Sequence, residues 1–173
     1  MENIFNLLNP KLREVIRKEG YVKPTPPQEK AIPLILRGDN VLLIAPTGWG
    51  KTEAVFFPLL HLILEEREKT GSNSKKGIQA VYITPLRALN RDLFRRMQRL
   101  AKSVGIHVSI RHGDTSSYER RKQLLSPPDI LITTPETLQA ILPAPKMRSN
   151  LASVRLVVVD EIHELASSKR GAQ

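Results

Sequence analysis

An α/β fold, mainly a parallel sheet with helices on both faces, is what this sequence of 173 residues predicts. Short aliphatic and β-branched runs at 41–44, 80–83, 107–110, 129–133 and 156–159 alternate with segments of helical period. That alternation is the mark of a parallel sheet buried under helices. The polar motifs follow Ile44, Ile83, Ile110, Ile132 and Val159, at the carboxyl ends of the runs, where open α/β sheets gather their ligands. One run leads into Ala45-Pro46-Thr47-Gly48-Trp49-Gly50-Lys51-Thr52 and then a helix-compatible stretch. Strand, glycine-bearing loop, Gly-Lys-Thr and helix is the order that a phosphate-binding loop needs.

The chemistry of that loop is local. Gly48 and Gly50 let the backbone turn tightly and bring N–H groups close to phosphate oxygens. The helix after Lys51 offers its positive end to the same anion. Lys51 reaches the β- and γ-phosphates of a nucleotide, and the Thr52 hydroxyl holds Mg²⁺. The first glycine of the common pattern is Ala45 here, while the last four residues are intact.

Before the loop, residues 3–19 read as one or two short helices. Asn9-Pro10 caps the second, Leu12, Val15 and Ile16 share one face, and Gly20 ends it. Pro24, Pro26 and Pro27 predict a stiff, extended segment. Gln28 then opens a helix through Ile32, Leu34, Ile35 and Leu36, and Gly38-Asp39 makes the turn into the first strand. The Gln28 carboxamide offers a donor and an acceptor, as reading the edge of adenine requires.

After the loop, Pro58 predicts a kink or a break in the helix. Residues 71–77 read as a polar loop. In the next helix, from about 88 to 102, Leu89, Leu93, Met97 and Leu100 form a core-facing stripe. Arg91, Arg95, Arg99 and Lys102 step along another face, either solvated or extending a phosphate-binding surface. A helix is expected over 116–125, ended by Pro127-Pro128, a short helix over 137–142, and a loop over 143–150. The run at 156–159 delivers Asp160-Glu161-Ile162-His163 at its tip. With Asp160 opposite Thr52, its carboxylate holds the Mg²⁺ that bridges the phosphates, and Glu161 positions or deprotonates the attacking water.

Composition narrows the class. Twenty-seven Lys and Arg against seventeen Asp and Glu leave a net charge of +10, which points to an anionic partner, nucleic acid first. The absence of cysteine excludes disulfides and thiolate metal sites. No apolar run approaches the ~20 residues of a membrane span, and the first residues lack a signal-peptide pattern, so an intracellular, cytoplasmic protein is expected.

Taken together, the motifs resemble the first RecA-like domain of superfamily 2 helicases of the DExH kind, over nearly the whole chain. Thr25-Pro26-Pro27-Gln28 is similar to the adenine-reading Q motif, with Tyr21 as the stacking aromatic. Residues 45–52, including Thr47, Gly48, Trp49, Gly50, Lys51 and Thr52, resemble motif I. Thr84-Pro85-Leu86-Arg87-Ala88-Leu89 resembles motif Ia, Gly113-Asp114-Thr115 the strand-contacting element after it, and Thr133-Thr134-Pro135-Glu136 motif Ib. Asp160-Glu161-Ile162-His163 matches motif II. Within the superfamily the stretches Pro85-Leu86-Arg87-Ala88-Leu89-Asn90, Arg111-His112-Gly113-Asp114-Thr115 and His163-Glu164-Leu165 are most similar to the large helicase-related group.

The resemblance implies ATP and Mg²⁺ as cofactors, Lys51, Asp160, Glu161 and His163 as catalytic residues, and an ATP-driven motor. It implies movement 3′ to 5′ on a single strand, DNA favoured over RNA, often in DNA repair. Pro85, Leu86, Arg87, Gly113, Asp114, Thr115, Thr134, Pro135 and Glu136 are then the grip on the phosphate backbone. Trp49 stands where the family usually has a small residue, and the expectation is weaker turnover rather than weaker folding. The Ser-Ala-Thr motif is not found within these residues, nor is the second RecA-like domain with its arginine fingers. Such fingers contribute on the order of 10³–10⁵ in rate. Residues 1–173 are therefore expected to form one ATP-binding domain, truncated at its C-terminus, with 1–38 as N-terminal helices and Q-motif segment. It is expected to hydrolyse slowly and not to unwind. The alternatives are a nucleic-acid-binding module with impaired catalysis, or another superfamily 2 ATPase of the RNA-processing or remodelling kind.

Overall fold

A computed structural model of the chain describes residues 3–71, 77–85 and 91–166, without the side chains of 165 and 166. It divides into two compact units, residues 1–73 and 74–173.

The first unit is helical. A 3₁₀ turn, Ile4–Leu7, is followed by α1 (Pro10–Lys18), α2 (Pro26–Leu36) and α3 (Lys51–Thr70). Asn9 caps α1 as expected, its side-chain oxygen accepting from the Lys11 N–H at 3.1 Å. Leu12 and Ile16 are buried. α2 begins earlier than the prolines suggest, because Pro26 and Pro27 occupy its first turn, where a missing N–H costs nothing. Thr25 and Gln28 close a capping box around that start.

α3 runs unbroken through Pro58. A proline inside a helix costs about 3 kcal/mol. Here Phe56, Phe57, Leu59, Leu60, Ile63 and Leu64 are buried on the same helix, and each such side chain returns roughly 1.5–3 kcal/mol. Phe57 meets Phe5 and Tyr21 edge to face, with ring centroids 5.9 and 5.1 Å away.

The strand expected over 41–44 is not formed. These residues carry no regular structure, and Leu42 and Ile44 are 72% and 86% exposed. An extended run is held as a strand only by a neighbour's backbone ladder. The first unit contains no strand among its described residues.

A polar cluster ties α1 to α3. The Asn9 N–H donates to His61 Nδ1 at 2.9 Å, and the Asn9 amide donates to Glu65 and Glu68. Burial pushes the His61 pKa below its ordinary value, Lys69 adds to that, and Glu65 and Glu68 pull it back. A depressed folded-state pKa means that the unfolded chain takes the proton first. Stability is thus fully present above the unfolded value of about 6.5 and is lost as pH falls from there through the folded value. The melting temperature is expected to drop between pH 7.5 and 5.5, and to drop less in His61→Asn, whose amide oxygen accepts without titrating.

The second unit is a four-stranded parallel sheet in the order β2-β3-β1-β4. Its strands are β1 (Ala80–Ile83), β2 (Val108–Arg111), β3 (Ile130–Thr133) and β4 (Leu156–Val159). Register pairs Tyr82 with Ile132 and Val158, and Ile110 with Ile132. The helices are α4 (Arg91–Ser103), α5 (Ser117–Leu125), α6 (Pro135–Ile141), α7 (Pro145–Leu151) and α8 (Ile162–Ala166). From β1 to β2 the chain crosses the sheet one way, and the next two crossovers return. Right-handed connections then set α4 on one face and α5, α6 and α7 on the other. Ile78, Val81, Leu131, Ile141 and Met147 form the core of the latter side, with Leu124, Leu138 and Leu151 packed against it.

Met97 and Leu100 of the expected α4 stripe are buried, Leu93 is half-buried, and Leu89 lies outside the described residues. Residues 143–150 contain a helix, α7, where a loop is expected. Pro145 sits in its first turn and buried Met147 anchors it to the core. Pro143 and Pro145 read as breakers, yet a proline also starts helices.

Candidate functional site

The loop before α3 has the conformation that the glycines predict. Gly48 and Gly50 hold φ of 80° and 72°, in the left-handed region that glycine enters without strain. Gly50 is the N-cap of α3, and no side chain caps that end, so the helix meets its ligand side with bare backbone. The Lys51 ammonium folds over the loop and donates to the Ala45 carbonyl at 2.7 Å and the Pro46 carbonyl at 3.1 Å. Thr52 is half-buried in the first turn. Thr47 and Gly48 are exposed, and Trp49 is 49% exposed.

The loop is held from behind by the Thr25–Gln28 segment. The Thr25 hydroxyl donates to the Trp49 carbonyl at 2.9 Å. The Gln28 Nε2 donates to the Gly50 carbonyl at 3.3 Å, while its Oε1 accepts from the Thr25 N–H at 3.0 Å. Gln28 is 2% exposed. A Cβ on residue 50 would fall 2.5 Å from Gln28 Nε2 and displace that amide from the Gly50 carbonyl, while the positive φ already favours glycine. A carboxamide has two N–H bonds and two lone pairs, and Gln28 keeps one of each beyond these contacts. Tyr21 stands near the same helix, its hydroxyl donating to Glu53 Oε1 at 3.2 Å and its ring against Phe57.

In the second unit the acidic pair follows β4. The Asp160 N–H donates to the Ile83 carbonyl at 2.8 Å, which extends the ladder by one residue. Tyr82, Val158 and Asp160 share one face by the two-residue period of the sheet. The Tyr82 hydroxyl donates to Asp160 Oδ2 at 2.7 Å, and the Glu161 N–H donates to Oδ1 at 2.9 Å. Both carboxylate oxygens are therefore fixed. Glu161 has φ of 53°, the sole non-glycine residue with positive φ among the described residues. A side chain held there costs of order 1–3 kcal/mol, and such strain concentrates at working sites. Its carboxylate lies 3.3 Å from His163 Nε2.

Tyr82 carries no motif, and its one sequence signal is a hydroxyl within an otherwise aliphatic run, since buried tyrosines seek a partner. Tyr82→Phe keeps the ring and removes the donor. It is expected to cost about 1 kcal/mol, lowering the melting temperature by roughly 2–4 °C in a thermal scan.

The remaining site residues sit at the strand ends of this unit. Pro85 follows β1 and is buried, whereas Leu86 and Arg87 lie outside the described residues. Gly113 and Asp114 are exposed in a turn closed by Thr115, whose N–H donates to the His112 carbonyl and whose Oγ1 accepts from the His112 N–H. Arg120 braces that turn from α5, donating to the Gly113 and Thr115 carbonyls. Thr134 is buried and caps α6, Pro135 is half-buried and Glu136 is exposed. No group of three or more metal-ligating side chains exists among the described residues. No helix among them is long and apolar enough to cross a membrane.

A family model for DEAD/DEAH box helicases matches residues 25–173. An ATP-dependent helicase Lhr-Core of Sulfolobus acidocaldarius is 46% identical over 99% of this chain, and that of Saccharolobus solfataricus is 44% identical over 99%. The chain spans about a fifth of the length of these curated relatives, 20% in each case. The solved Mycobacterium smegmatis helicase Lhr bound to ssDNA and AMP-PNP is 37% identical, with a TM-score of 0.80 over 99% of this chain and 22% of that one. A DEAD-box helicase bound to ssRNA and UDP-BeF, at 23% identity, shares the fold with a TM-score of 0.80.

Proposed function

The chain belongs to the DEAD/DEAH box helicases, as a helicase ATP-binding domain of the Lhr type, and from that premise we propose that it binds ATP with Mg²⁺ within a motor that moves along single-stranded DNA. The observation that carries the reading is the Lys51 loop: two left-handed glycines, a helix end with no side-chain cap, and an ammonium folded onto carbonyls that a phosphate can replace. Mg²⁺ takes oxygen ligands, and the Thr52 hydroxyl and the Asp160 carboxylate are the ones we assign to it. Held there, Mg²⁺ would supply neutralisation of the phosphate charge during transfer.

Each residue then has one task. Lys51 binds the β- and γ-phosphates. Glu161 accepts the proton of the attacking water, and its strained backbone together with His163 fixes its direction. Gln28 reads adenine with its unused N–H and lone pair, Tyr21 stacks near the base, and Thr47, Gly48, Trp49 and Gly50 line the phosphates. Pro85, Leu86, Arg87, Gly113, Asp114, Thr115, Thr134, Pro135 and Glu136 hold the strand backbone without reading sequence. The arginine fingers are assigned to a second RecA-like domain acting as partner. DNA is favoured because the 37%-identical neighbour is bound to ssDNA.

The test is phosphate release from ATP by residues 1–173 with and without a single-stranded oligonucleotide. Slow release that rises with DNA is expected. Strand binding indifferent to ATP, with no release at all, would favour a module without catalysis.

A further inference from the structure

Between α5 and α7 lies a cavity of about 570 Å³. Its lining is apolar, from Leu124, Pro145 and Met147 and from the alkyl stems of four basic residues, Arg111, Arg120, Arg121 and Lys146. No acidic residue lines it. Arg111 is the last residue of β2, at the carboxyl edge of the sheet. Its Nη1 is buried without a hydrogen-bond partner. Burial, and then the neighbouring Arg120 charge, both lower the Arg111 pKa, so the ion is held there against its surroundings. Arg120 cannot serve Arg111 and is itself spent on the Gly113 and Thr115 carbonyls.

A buried guanidinium edge with no acceptor, beside a second guanidinium, calls for an anion. A phosphate alone leaves the apolar walls bare, whereas a nucleotide brings a phosphate for the rim and a base for the walls. Bases stack on guanidinium planes and pack between apolar side chains in pockets that take a single base. The volume falls within the ~300–1,000 Å³ of small-ligand sites. Arg120 joins the cavity to the Gly113–Thr115 turn, so a strand gripped at that turn passes the cavity mouth.

We propose that this cavity takes one nucleotide of the bound single strand, its phosphate on Arg111, Arg121 and Lys146 and its base against Leu124, Pro145 and Met147. The inference rests on the nucleic-acid reading above. It adds a site next to the motif residues and makes Arg111 a binding residue.

The experiment uses residues 1–173, a labelled oligothymidine and the variant Arg111→Gln/Arg121→Gln/Lys146→Gln. Affinity is expected to fall roughly tenfold, and the slope of log K against log salt by about 1, the signature of one lost phosphate contact. An oligonucleotide with abasic residues is expected to lose affinity for the parent and little further for the variant. Cross-linking from 4-thiothymidine is expected at Met147 or Pro145 in the parent only. The parent's melting temperature is expected to hold, because Arg111 Nη1 bonds to nothing. Should the triple variant unfold, Lys146→Gln alone, on an exposed residue, carries the same comparison. Equal affinity and slope in parent and variant overturn the cavity site and leave the strand reading intact. A parent that binds no single strand overturns both. Displacement of the strand by an acidic, leucine-rich peptide that cross-links at Met147, with no strand cross-link there, assigns the cavity to a protein segment and overturns the proposal.

Discussion

Lys51→Ala is expected to weaken binding of a non-hydrolysable ATP analogue by roughly 10–100-fold, the equivalent of about 1.5–3 kcal/mol for one charged hydrogen-bonding group, and to abolish strand-stimulated phosphate release. The fold is expected to survive. The ammonium's partners are the part-buried Ala45 carbonyl and the exposed Pro46 carbonyl, where water replaces it. Calorimetric titration of the analogue into parent and variant reads the change, and a thermal scan confirms that both are folded. Unchanged affinity would mean that the lysine stays on its loop carbonyls when the nucleotide binds.

The largest effect on stability is expected at Phe57. The ring is fully buried in α3 and is the shared partner of Phe5 and Tyr21. Phe57→Ala removes the transfer free energy and leaves a cavity, about 3–5 kcal/mol in comparable cores. That is a large share of the roughly 5–15 kcal/mol that holds a domain folded. Chemical denaturation is expected to show the loss, with Phe57→Leu losing less. The functional consequence follows from position. Tyr21 leans on Phe57 and on Glu53, and α3 begins at Lys51, so loosening this ring loosens the floor of the nucleotide loop.

Much of this was legible in the residues. The β1 and β3 runs stand out because they are apolar on consecutive positions, as strands buried on both faces demand, and β4 reads the same way although Val157 and Val159 are exposed. The Lys51 loop stands out because its residue types are dictated by backbone geometry. Other parts depended on context that no local window holds. Pro58 looks like a break until the burial of Phe57 and Leu60 on either side is weighed. Pro26 and Pro145 look like barriers and are first-turn residues. Residues 41–44 have every local preference of a strand, but a strand also needs a partner ladder. Gln28 was legible as a special carboxamide, though its bond to the Gly50 carbonyl was not. The Tyr82 bond to Asp160 and the strain at Glu161 are not legible locally, because they arise only where β1 and the end of β4 lie side by side.

The motor proposed above requires the Thr52 hydroxyl and the Asp160 carboxylate to serve one divalent ion. Electron paramagnetic resonance titration of Mn²⁺, in the presence of a non-hydrolysable ATP analogue, measures this for the parent, Thr52→Val, Asp160→Asn and the double variant. If one ion is shared, each single change weakens Mn²⁺ binding at least roughly tenfold, and the double change costs clearly less than the sum, as neighbours acting on one ligand do. Manganese affinity that is unaffected by Asp160→Asn would contradict the account at its centre.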